Sequence, residues 1–466
     1  MEKYDVIVAG GGPGGAIAAV AAARNGAKTL LIEQNAYLGG ALTGAGTGPQ
    51  MTYHAGETQV IRGIPGEFAD RMKTEGFSPG HMEDFVGYAS SVTPFDAEGM
   101  KLVLENMVME AGAELLYHTV YTGCDMESGQ VGNLRLFSKG GFFNVRASVY
   151  IDATADADLA AHAGVPTHYG RESDGLAQPM TMNMKVYGVD RGRLMDFVAA
   201  QRDDMPHDIP FDKLRVIPRS GIRGAFSRVC AAKEAGELTF DRDVVLCFET
   251  NNPGEYIVNM TRVHNRSAVD PRGLTAAEIE GRRQCKELLA FLRKYIPGFE
   301  NCVLAYTGPN IGIRESRRIR GAYTVTADDL TENRMFDDAV AMGGYPIDIH
   351  SPDGDNTSHV FLKPGSWYSV PYRCLIPAQV SNIIVCGRCI SASHEALAAL
   401  RTTPTVMAIG QAAGTAAAMT AKTGCPVQGI DTGDLRAALI KDGAFLKPYF
   451  NPALSPKKNI AISKEP

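Results

Sequence analysis

The beginning of the chain alternates short apolar runs with breaks of small residues. Residues 4–9 form an apolar run that enters the sequence GGGPGG at 10–15, and residues 16–23 after it are almost all small or apolar. This pattern predicts a strand, a tight turn and a helix that packs closely on the strand. A second apolar run, 28–32, ends at Glu33 and predicts the next strand.

Further along, apolar positions at helical spacing predict one amphipathic helix over 96–112. The runs 114–121, 131–138 and 142–151 predict three strands joined by short turns, a β-meander. Near the other end, 382–386 predicts a buried strand, and Thr403-Pro404 predicts the start of a helix over 405–421, because proline favours the first helical turn. The small residues of that helix require a very close neighbour, such as the sheet.

The region between these parts, residues 166–374, has a different pattern of predicted elements. Two hairpin-like strands flank 251–254, and one helix is predicted to open at Thr275, with Glu278 at capping-box spacing, and to stop before Pro297. We therefore predict an α/β fold with a discontinuous first domain, residues 1–165 and 375–445, containing a parallel sheet and a β-meander. Residues 166–374 are predicted to be an inserted mixed α+β domain that holds the substrate, and 446–466 a loosely held tail.

Composition excludes several classes of protein. The chain has 466 residues, of which 45% are hydrophobic and 21% charged, so it is expected to be globular. Its net charge of −6 is spread along the sequence and predicts neither nucleic-acid nor membrane binding. We expect a cytoplasmic protein, since no targeting segment or membrane-spanning run is visible. The nine scattered cysteines suggest reduced thiols, and no metal site is expected.

The glycine-rich turn carries the first chemical prediction. Gly10, Gly12 and Gly15 match the spacing at which a turn admits a pyrophosphate, and Glu33 ends the second strand. An acid there accepts ribose hydroxyls and repels a 2′-phosphate, which favours FAD or NAD over NADP. The alternative is a doubly wound domain that binds no nucleotide.

In this order of elements the chain resembles the FAD-dependent oxidoreductases of the glutathione-reductase-type fold, in a subfamily known only by that generic name. The resemblance spans nearly the full length. Its most distinctive parts are the amino-terminal fingerprint, the segments 38–44, 152–154, 312–318 and 347–350, and the run GRCISASH at 387–394 with 401–414 after it. One position departs from many relatives of the fold, because Arg388 stands where an acid binds the ribityl chain.

The resemblance implies FAD as the cofactor. The residues expected to contact it are Gly10, Gly12, Pro13, Gly14, Gly15, Glu33, Gln34, Gly40, Ala41, Thr43, Val120, Ala153, Thr154, Gly387, Arg388 and Thr403. The pyrophosphate is expected at the helix beginning near Gly14, where free N–H groups and the helix dipole favour an anion. The helix that begins at Thr403 is expected to aim its amino terminus at flavin N1 and O2 or, alternatively, to be an ordinary core helix against the sheet or the flavin ring.

Candidates for substrate chemistry lie in segments expected to flank the flavin. They are His394, Arg401, Arg388, Arg314, His350 and Tyr372. His394 is the first choice for an acid or base, because histidine titrates near neutrality, and a purely structural histidine is the alternative. The arginines suggest a carboxylate substrate, since a guanidinium binds one at two points. Arg388 and Arg401 have the alternative of contacting the flavin pyrophosphate or its pyrimidine edge. The nearby Arg317, Arg318 and Arg320 are expected to form a surface or interdomain ion-pair set close to Glu315.

Cys386 and Cys389 have the spacing of a redox pair, but a strand end is an unsuitable place for a reactive thiol, so a structural role is preferred.

The chain is expected to be an enzyme that moves a hydride between a small polar metabolite, a hydroxy acid or polyol, and flavin N5. The alternatives are an electron-transferring flavoprotein subunit and an NAD-dependent dehydrogenase. Because no second glycine fingerprint follows, electrons are expected to pass to the substrate pair or to another carrier, a protein or a quinone. A homo-oligomer is left open.

Overall fold

The computed structural model describes residues 2–84, 86–206, 211–354 and 357–448. Its strands are short except in one sheet. In chain order they are β1 Lys3–Ala9, β2 Thr29–Ile32, β3 His54–Ala55, β4 Thr58–Gln59, β5 Met82–Glu83, β6 Ser91–Val92, β7 Glu114–Leu116, β8 Val120–Glu127, β9 Gln130–Ser138, β10 Gly141–Asp152, β11 Thr167–Tyr169, β12 Met184–Tyr187, β13 Gly221–Gly224, β14 Val245–Glu249, β15 Tyr256–Val258, β16 Val303–Thr307, β17 Arg317–Ile319, β18 Ala339–Gly343, β19 Ile347–His350, β20 Thr357–Val360, β21 Tyr368–Pro371 and β22 Ile383–Val385.

The helices vary from one turn to seven. In chain order they are α1 Pro13–Arg24, α2 Ala41–Gly44, α3 Ile64–Thr74, α4 Ala97–Glu110, α5 Asp158–His162, α6 Arg191–Ala200, α7 Phe226–Glu234, α8 Pro271–Tyr295, α9 Ala327–Thr331, α10 His394–Leu400, α11 Thr403–Thr423 and α12 Thr432–Lys441. Short 3-10 turns cover Arg202–Asp204, Tyr372–Cys374 and Val427–Gly429.

A seven-stranded sheet organises the first part of the fold. Its order is β7-β2-β1-β10-β9-β8, and β22 also pairs with β10. β1, β2, β7, β22 and the second half of β10 are parallel, whereas the first half of β10 pairs antiparallel with β9. β10 thus belongs both to the parallel sheet and to the meander. This arrangement confirms the α/β class with a Rossmann-like parallel sheet.

Helix α11 lies directly on helix α1. A Cβ at Gly410 would be 2.2 Å from the carbonyl oxygen of Gly14, and one at Gly414 would be 2.1 Å from that of Ala18. The small residues of α11 are therefore explained by a helix–helix contact, in addition to its contacts with β1, β10 and β22. The sequence analysis named only the sheet or a flavin ring as the close neighbour.

Buried apolar side chains form two clusters. One contains residues from 4 to 165 and from 319 to 446, and the other contains Val86 and residues from 180 to 311. The second cluster lies around α8 and a five-stranded sheet of order β13-β14-β15-β12-β16. The exact boundaries given for the two domains stay a prediction, and part of the predicted tail, 449–466, lies outside the described residues.

Most predicted elements exist, but two boundaries are wrong. The predicted strand 114–121 is two strands, because the chain leaves the parallel edge after β7 and enters the meander as β8. The long helix α8 begins at Pro271 and not at Thr275, since the Asp270 carboxylate caps it by accepting a hydrogen bond from the N–H of Gly273. The hairpin about 251–254 is confirmed by the pairing of β14 with β15.

Candidate active site

The glycine turn between β1 and α1 is closed by protein on one side and open on the other. A Cβ at Gly10 would lie 2.3 Å from the Ala153 carbonyl oxygen, and one at Gly15 would lie 1.9 Å from the Gly10 carbonyl oxygen. A Cβ at Gly12, in contrast, would meet nothing within 4 Å. Two glycines allow the backbones to pack, and the third leaves room for a ligand at the amino terminus of α1.

Glu33 and Val120 lie at the same end of the sheet. The buried Glu33 carboxylate accepts hydrogen bonds from the N–H of Gly11 at 2.7 Å and from the N–H of Asn35 at 2.8 Å. The N–H of Thr119 donates to the Glu33 carbonyl at 3.1 Å, which places the exposed Val120 beside it. An adenosine would find ribose and adenine contacts here.

Other residues expected to bind the cofactor surround the turn. A Cβ at Gly40 would be 3.0 Å from the Cα of Gly12, so the loop before α2, which contains Ala41 and Thr43, lies against the turn. The Thr43 hydroxyl donates to Leu38 O at 2.7 Å, and Gln34 is exposed. The Thr154 hydroxyl donates to Asp152 Oδ1 at 2.7 Å and therefore shapes its own turn.

A second open position lies at Gly387, and we call the two open glycines, Gly12 and Gly387, together with the start of α11 the cofactor groove. Gly387, directly after β22, has φ +99°, and a Cβ there would meet nothing within 4 Å. Helix α11 begins at Thr403 with Pro404 in its first turn, and no side chain caps its free N–H groups. Open space at Gly12 and Gly387, with an acid at the ribose position and a helix amino terminus beyond, fits FAD.

His394 and Arg388 are held by acids. His394, buried at the start of α10, places Nδ1 2.8 Å from Glu315 Oε2, and Arg318 also pairs with Glu315. Burial works against the charged Glu315, but these partners outweigh it and hold the pKa of the carboxyl below its ordinary value. Arg388 pairs with Asp156 at 2.7 Å.

Arg314, Arg401 and His350 come together around one segment. Arg314 Nη1 donates to Pro179 O at 2.7 Å, and Arg401 Nη2 lies 3.5 Å from Gln178 Oε1. The N–H of His350 lies 3.4 Å from the same Gln178 oxygen. Arg401 directly precedes Thr402, the N-cap residue of α11, so Arg401 lies beside the start of that helix.

An acid that was not singled out from the sequence lies in the same place. The carboxylate of Asp348, buried on β19, has His350 Nε2 at 3.4 Å, His359 Nδ1 at 3.3 Å and the Tyr345 hydroxyl at 3.4 Å. Burial opposes its charge, but His350 and Arg401 outweigh burial and hold the pKa of Asp348 well below its usual range. Burial and Arg314 lower the pKa of His350 well below its ordinary value, although Asp348 opposes them.

The structure separates Tyr372 from this group. Its buried hydroxyl donates to the Val427 carbonyl at 3.0 Å within the first apolar cluster. The sequence analysis missed three residues of this group, Gln178, Tyr345 and Asp348. The signal for Asp348 is weak: strand alternation over 347–350 puts it on the same face as His350.

Cys386 and Cys389 are both buried and free. Burial raises the pKa of both thiols well above the ordinary value, which supports the structural interpretation over a redox pair.

Within the described ranges, no group of three histidine, cysteine or acidic side chains is arranged to hold a metal ion. None of the described helices combines the length and the apolarity needed to cross a membrane.

A parallel sheet, an open glycine turn and an acid after the second strand define a nucleotide-dependent α/β protein. The chain belongs to the FAD dependent oxidoreductase family, which matches residues 5–439. It is an oxidoreductase enzyme and a flavoprotein, and its cofactor is FAD.

Curated relatives resemble part of the chain. It is 33% identical over 178 residues to a digeranylgeranylglycerophospholipid reductase of Methanocella arvoryzae, which is 36% of this chain and 43% of that protein. The enzyme of the same name from Thermoplasma acidophilum is 31% identical over 180 residues, 35% of this chain and 43% of that protein. The chain therefore spans less than half the length of the curated relatives that it matches.

One of two similar solved structures supports the same fold. A p-nitrophenol 4-monooxygenase from Pseudomonas putida has a TM-score of 0.50 at 11% identity, covering 97% of this chain and 91% of that one. A geranylgeranyl bacteriochlorophyll reductase-like protein from Thermoplasma acidophilum has a TM-score of 0.46 at 16% identity, covering 95% and 82%.

These relatives correct the expected reaction. The sequence analysis expected hydride transfer with a hydroxy acid or polyol, or an electron-transferring subunit without a small substrate. Both expectations are wrong, because the matched relatives are reductases named for a lipid that carries geranylgeranyl chains. The error arose because arginines and histidines indicate a polar group on the substrate and reveal nothing about the rest of it.

Proposed function

We propose that the protein is an FAD-dependent reductase that saturates a carbon–carbon double bond in a prenyl-chain or other lipid-type substrate. The observation that carries the proposal is the 33% identity over 178 residues to a digeranylgeranylglycerophospholipid reductase, in a chain of an FAD-dependent family. The substrate of this chain is inferred at the level of its class, since the match covers 43% of that relative.

We infer the finer architecture from the packing. The two separate apolar clusters support a glutathione-reductase-type FAD-binding domain with an inserted substrate domain. The polar group around Gln178, Asp348 and Arg401 draws residues from both sides of that division. A site between domains suits a substrate that must reach a flavin held by one of them.

The cofactor would be held by the groove already described. Backbone N–H groups at the start of α1 would bind the pyrophosphate, and Glu33 the ribose. When bound there, FAD supplies the hydride. The free N–H groups at the start of α11 favour negative charge near them, which suits a flavin ring at that end.

Saturation of a double bond also needs a proton, and we propose Tyr345 as its donor. Its hydroxyl is buried and lies 3.4 Å from Asp348 Oδ2. Burial, reinforced by the Asp348 charge, raises the pKa of Tyr345 well above its ordinary value, so the hydroxyl keeps its proton at neutral pH. The hydroxyl would give its proton to one carbon of the double bond while the other carbon receives the hydride.

A reductase needs an electron source. The sequence contains no second glycine fingerprint for a nicotinamide cofactor, so we infer that a separate carrier, a protein or a quinone, reduces the flavin. A cytoplasmic location and a homo-oligomer stay predictions.

Single-turnover reduction tests the proposal. FAD-loaded protein is reduced anaerobically with dithionite, excess reductant is removed, and unsaturated prenyl lipids are added. We expect the flavin to reoxidise while the lipid gains two hydrogen atoms for each bond reduced, as measured by mass spectrometry. The saturated lipid is the control. A flavin that stays reduced with every unsaturated lipid tested would contradict the proposed reaction.

A further inference from the structure

Two arginines in the active site have only neutral hydrogen-bond partners. Arg314 donates to the Pro179 carbonyl at 2.7 Å and to the Thr181 hydroxyl, and its Nη2 lies 3.5 Å from Asn259 Oδ1. Arg401 contacts the amide oxygen of Gln178 at 3.5 Å. Across the described ranges, neither guanidinium forms an ion pair with a carboxylate.

Two buried donors at this contact have no partner. Arg401 Nε is buried and has no hydrogen-bond partner among the described residues, and the same is true of Gln178 Nε2. Gln178 is only 2% exposed, so water does not readily satisfy that amide. Buried donors without partners are costly, and a ligand that accepts hydrogen bonds relieves the cost.

The charge around Arg314 is positive. Burial lowers the pKa of Arg314 well below its ordinary value, and the neighbouring Arg401 and Arg262 lower it further. The opposing acid is Asp348, whose charge raises the pKa of Arg314 and only partly offsets these effects. Arg262 itself donates to the Thr357 hydroxyl and the Gly354 carbonyl, and its Nη2 lies 3.3 Å from His350 Nδ1.

Arg314 and Arg401 also remain accessible. Both side chains are half-buried and therefore not fully sealed in the core. Arg401 directly precedes Thr402, the N-cap residue of α11, the helix whose start suits the flavin ring. A ligand bound by both guanidinia would lie next to the reacting end of the cofactor.

We propose that Arg314, Arg401 and the Gln178 amide form a subsite for an oxyanion of the substrate, a carboxylate or a phosphate. The subsite rests on the proposed function for its role, which is to anchor the polar head of a lipid-type substrate while a double bond meets the flavin. Guanidinium groups bind such oxyanions at two points, which fixes orientation as well as position.

Calorimetry on the FAD-loaded, oxidised protein tests the subsite without turnover. The probes are inorganic phosphate, a prenyl phosphate and the corresponding prenyl alcohol. We expect both phosphates to bind and the alcohol to bind at least tenfold more weakly than the prenyl phosphate. Arg314→Gln and Arg401→Gln should each weaken phosphate binding by about tenfold or more, the usual effect of losing a hydrogen bond to a charged group. Lysine at either position should restore part of the affinity.

The matched control is Arg193→Gln, which removes an exposed arginine paired with Glu300 and should leave phosphate binding unchanged. Tighter binding of the prenyl phosphate than of inorganic phosphate supports a lipid head group, and equal binding supports a free anion in the same subsite. Equal affinity of prenyl phosphate and prenyl alcohol, or unchanged phosphate binding in both glutamine variants, would overturn the subsite. So would loss of FAD from Arg401→Gln with phosphate affinity intact.

The reductase and the subsite can fail separately. If reduced enzyme saturates the prenyl alcohol and the prenyl phosphate equally well and neither arginine affects binding, the reductase stands and the subsite is refuted. If phosphate binds through Arg314 and Arg401 but no unsaturated lipid is reduced, the subsite stands and the reductase is refuted.

Discussion

Gly410 of α11 faces the carbonyl oxygen of Gly14 in α1 so closely that a Cβ at Gly410 would lie 2.2 Å from that oxygen. The contact joins the helix that begins at the glycine turn to the helix whose start lies near the reacting end of the groove. Both ends of the cofactor site therefore depend on one crossing of two helices.

Replacing Gly410 tests this crossing. We expect Gly410→Ala to push α11 from α1 and to lower the free energy of unfolding by about 1–3 kcal/mol, the usual cost of overpacking, with loss of FAD. Urea unfolding and the ratio of flavin to protein are the measurements. The control is Gly66→Ala in α3, where a Cβ would meet only Gln59 Nε2 at 3.8 Å and helix propensity favours alanine. Equal stability of the two variants would argue against the close crossing.

Gly12 provides the opposite case. Its φ of −62° suits any L-residue, and a Cβ there meets nothing within 4 Å, so Gly12→Ala should fold with unchanged stability as apoprotein. The added methyl group occupies the space inferred for the pyrophosphate, and we expect FAD affinity to fall by at least tenfold. Titration of apoprotein with FAD, followed by flavin fluorescence, measures it. Normal affinity would place the pyrophosphate elsewhere.

Tyr345→Phe tests the proton donor. It removes the hydroxyl beside Asp348 and should slow lipid reduction by about 10²–10⁴-fold, the usual contribution of general acid catalysis, while FAD content stays normal. Stopped-flow reoxidation of reduced enzyme by lipid gives the rate. Tyr372→Phe is the comparison, because its hydroxyl donates to Val427 O in the core. We expect Tyr372→Phe to lower the free energy of unfolding by about 1 kcal/mol and to leave the rate of lipid reduction unchanged. A slower rate would support the catalytic role first expected for Tyr372.

Glu315 predicts a pH dependence of stability. Because its pKa is lowered in the folded protein, the carboxylate stabilises the fold above its ordinary pKa of about 4.3, and this contribution disappears as the pH falls through the lower folded value. Glu315→Gln should therefore cost about 3–5 kcal/mol near neutral pH, since Arg318 loses its buried partner, and progressively less in acid. Free energies of unfolding, measured for both proteins from neutral pH into acid, test this prediction. Glu98→Gln, an exposed partner of Lys101, should change little at any pH.

Thiol titration tests the burial of the cysteines. Cys230 is exposed, whereas Cys386 and Cys389 are fully buried with raised pKa values. We expect a thiol reagent to label Cys230 in the native protein and to label Cys386 and Cys389 only after denaturation. Peptide mass spectrometry locates the label. Rapid native labelling of Cys389 would revive the redox interpretation.

Local signals in the sequence predicted the nucleotide half well. The turn from Gly10 to Gly15 and the acid at Glu33 belong to one strand–turn–helix–strand unit, so their spacing in the sequence carries the information. The start of α11 was predicted for the same reason, from Pro404. Its contact with α1 was not, because Gly14 and Gly410 are far apart in sequence and no local pattern links them.

The substrate site was predicted only as separate residues. Arg314, His350 and Arg401 were candidates, but their meeting at Gln178 depends on how distant segments pack. Asp348 was missed because an acid between two isoleucines on a short strand is also common on a solvated face. The reaction was wrongly predicted, because charged side chains indicate only the polar part of a ligand that they contact and not the rest of it.

The dual membership of β10 also bears on how the molecule is assembled. One continuous strand supplies hydrogen bonds to the meander through its first half and to the parallel sheet through its second. A slip of one residue would turn inward-facing side chains outward in both places at once. The meander and the parallel sheet should therefore acquire their alignment together, as a single cooperative unit.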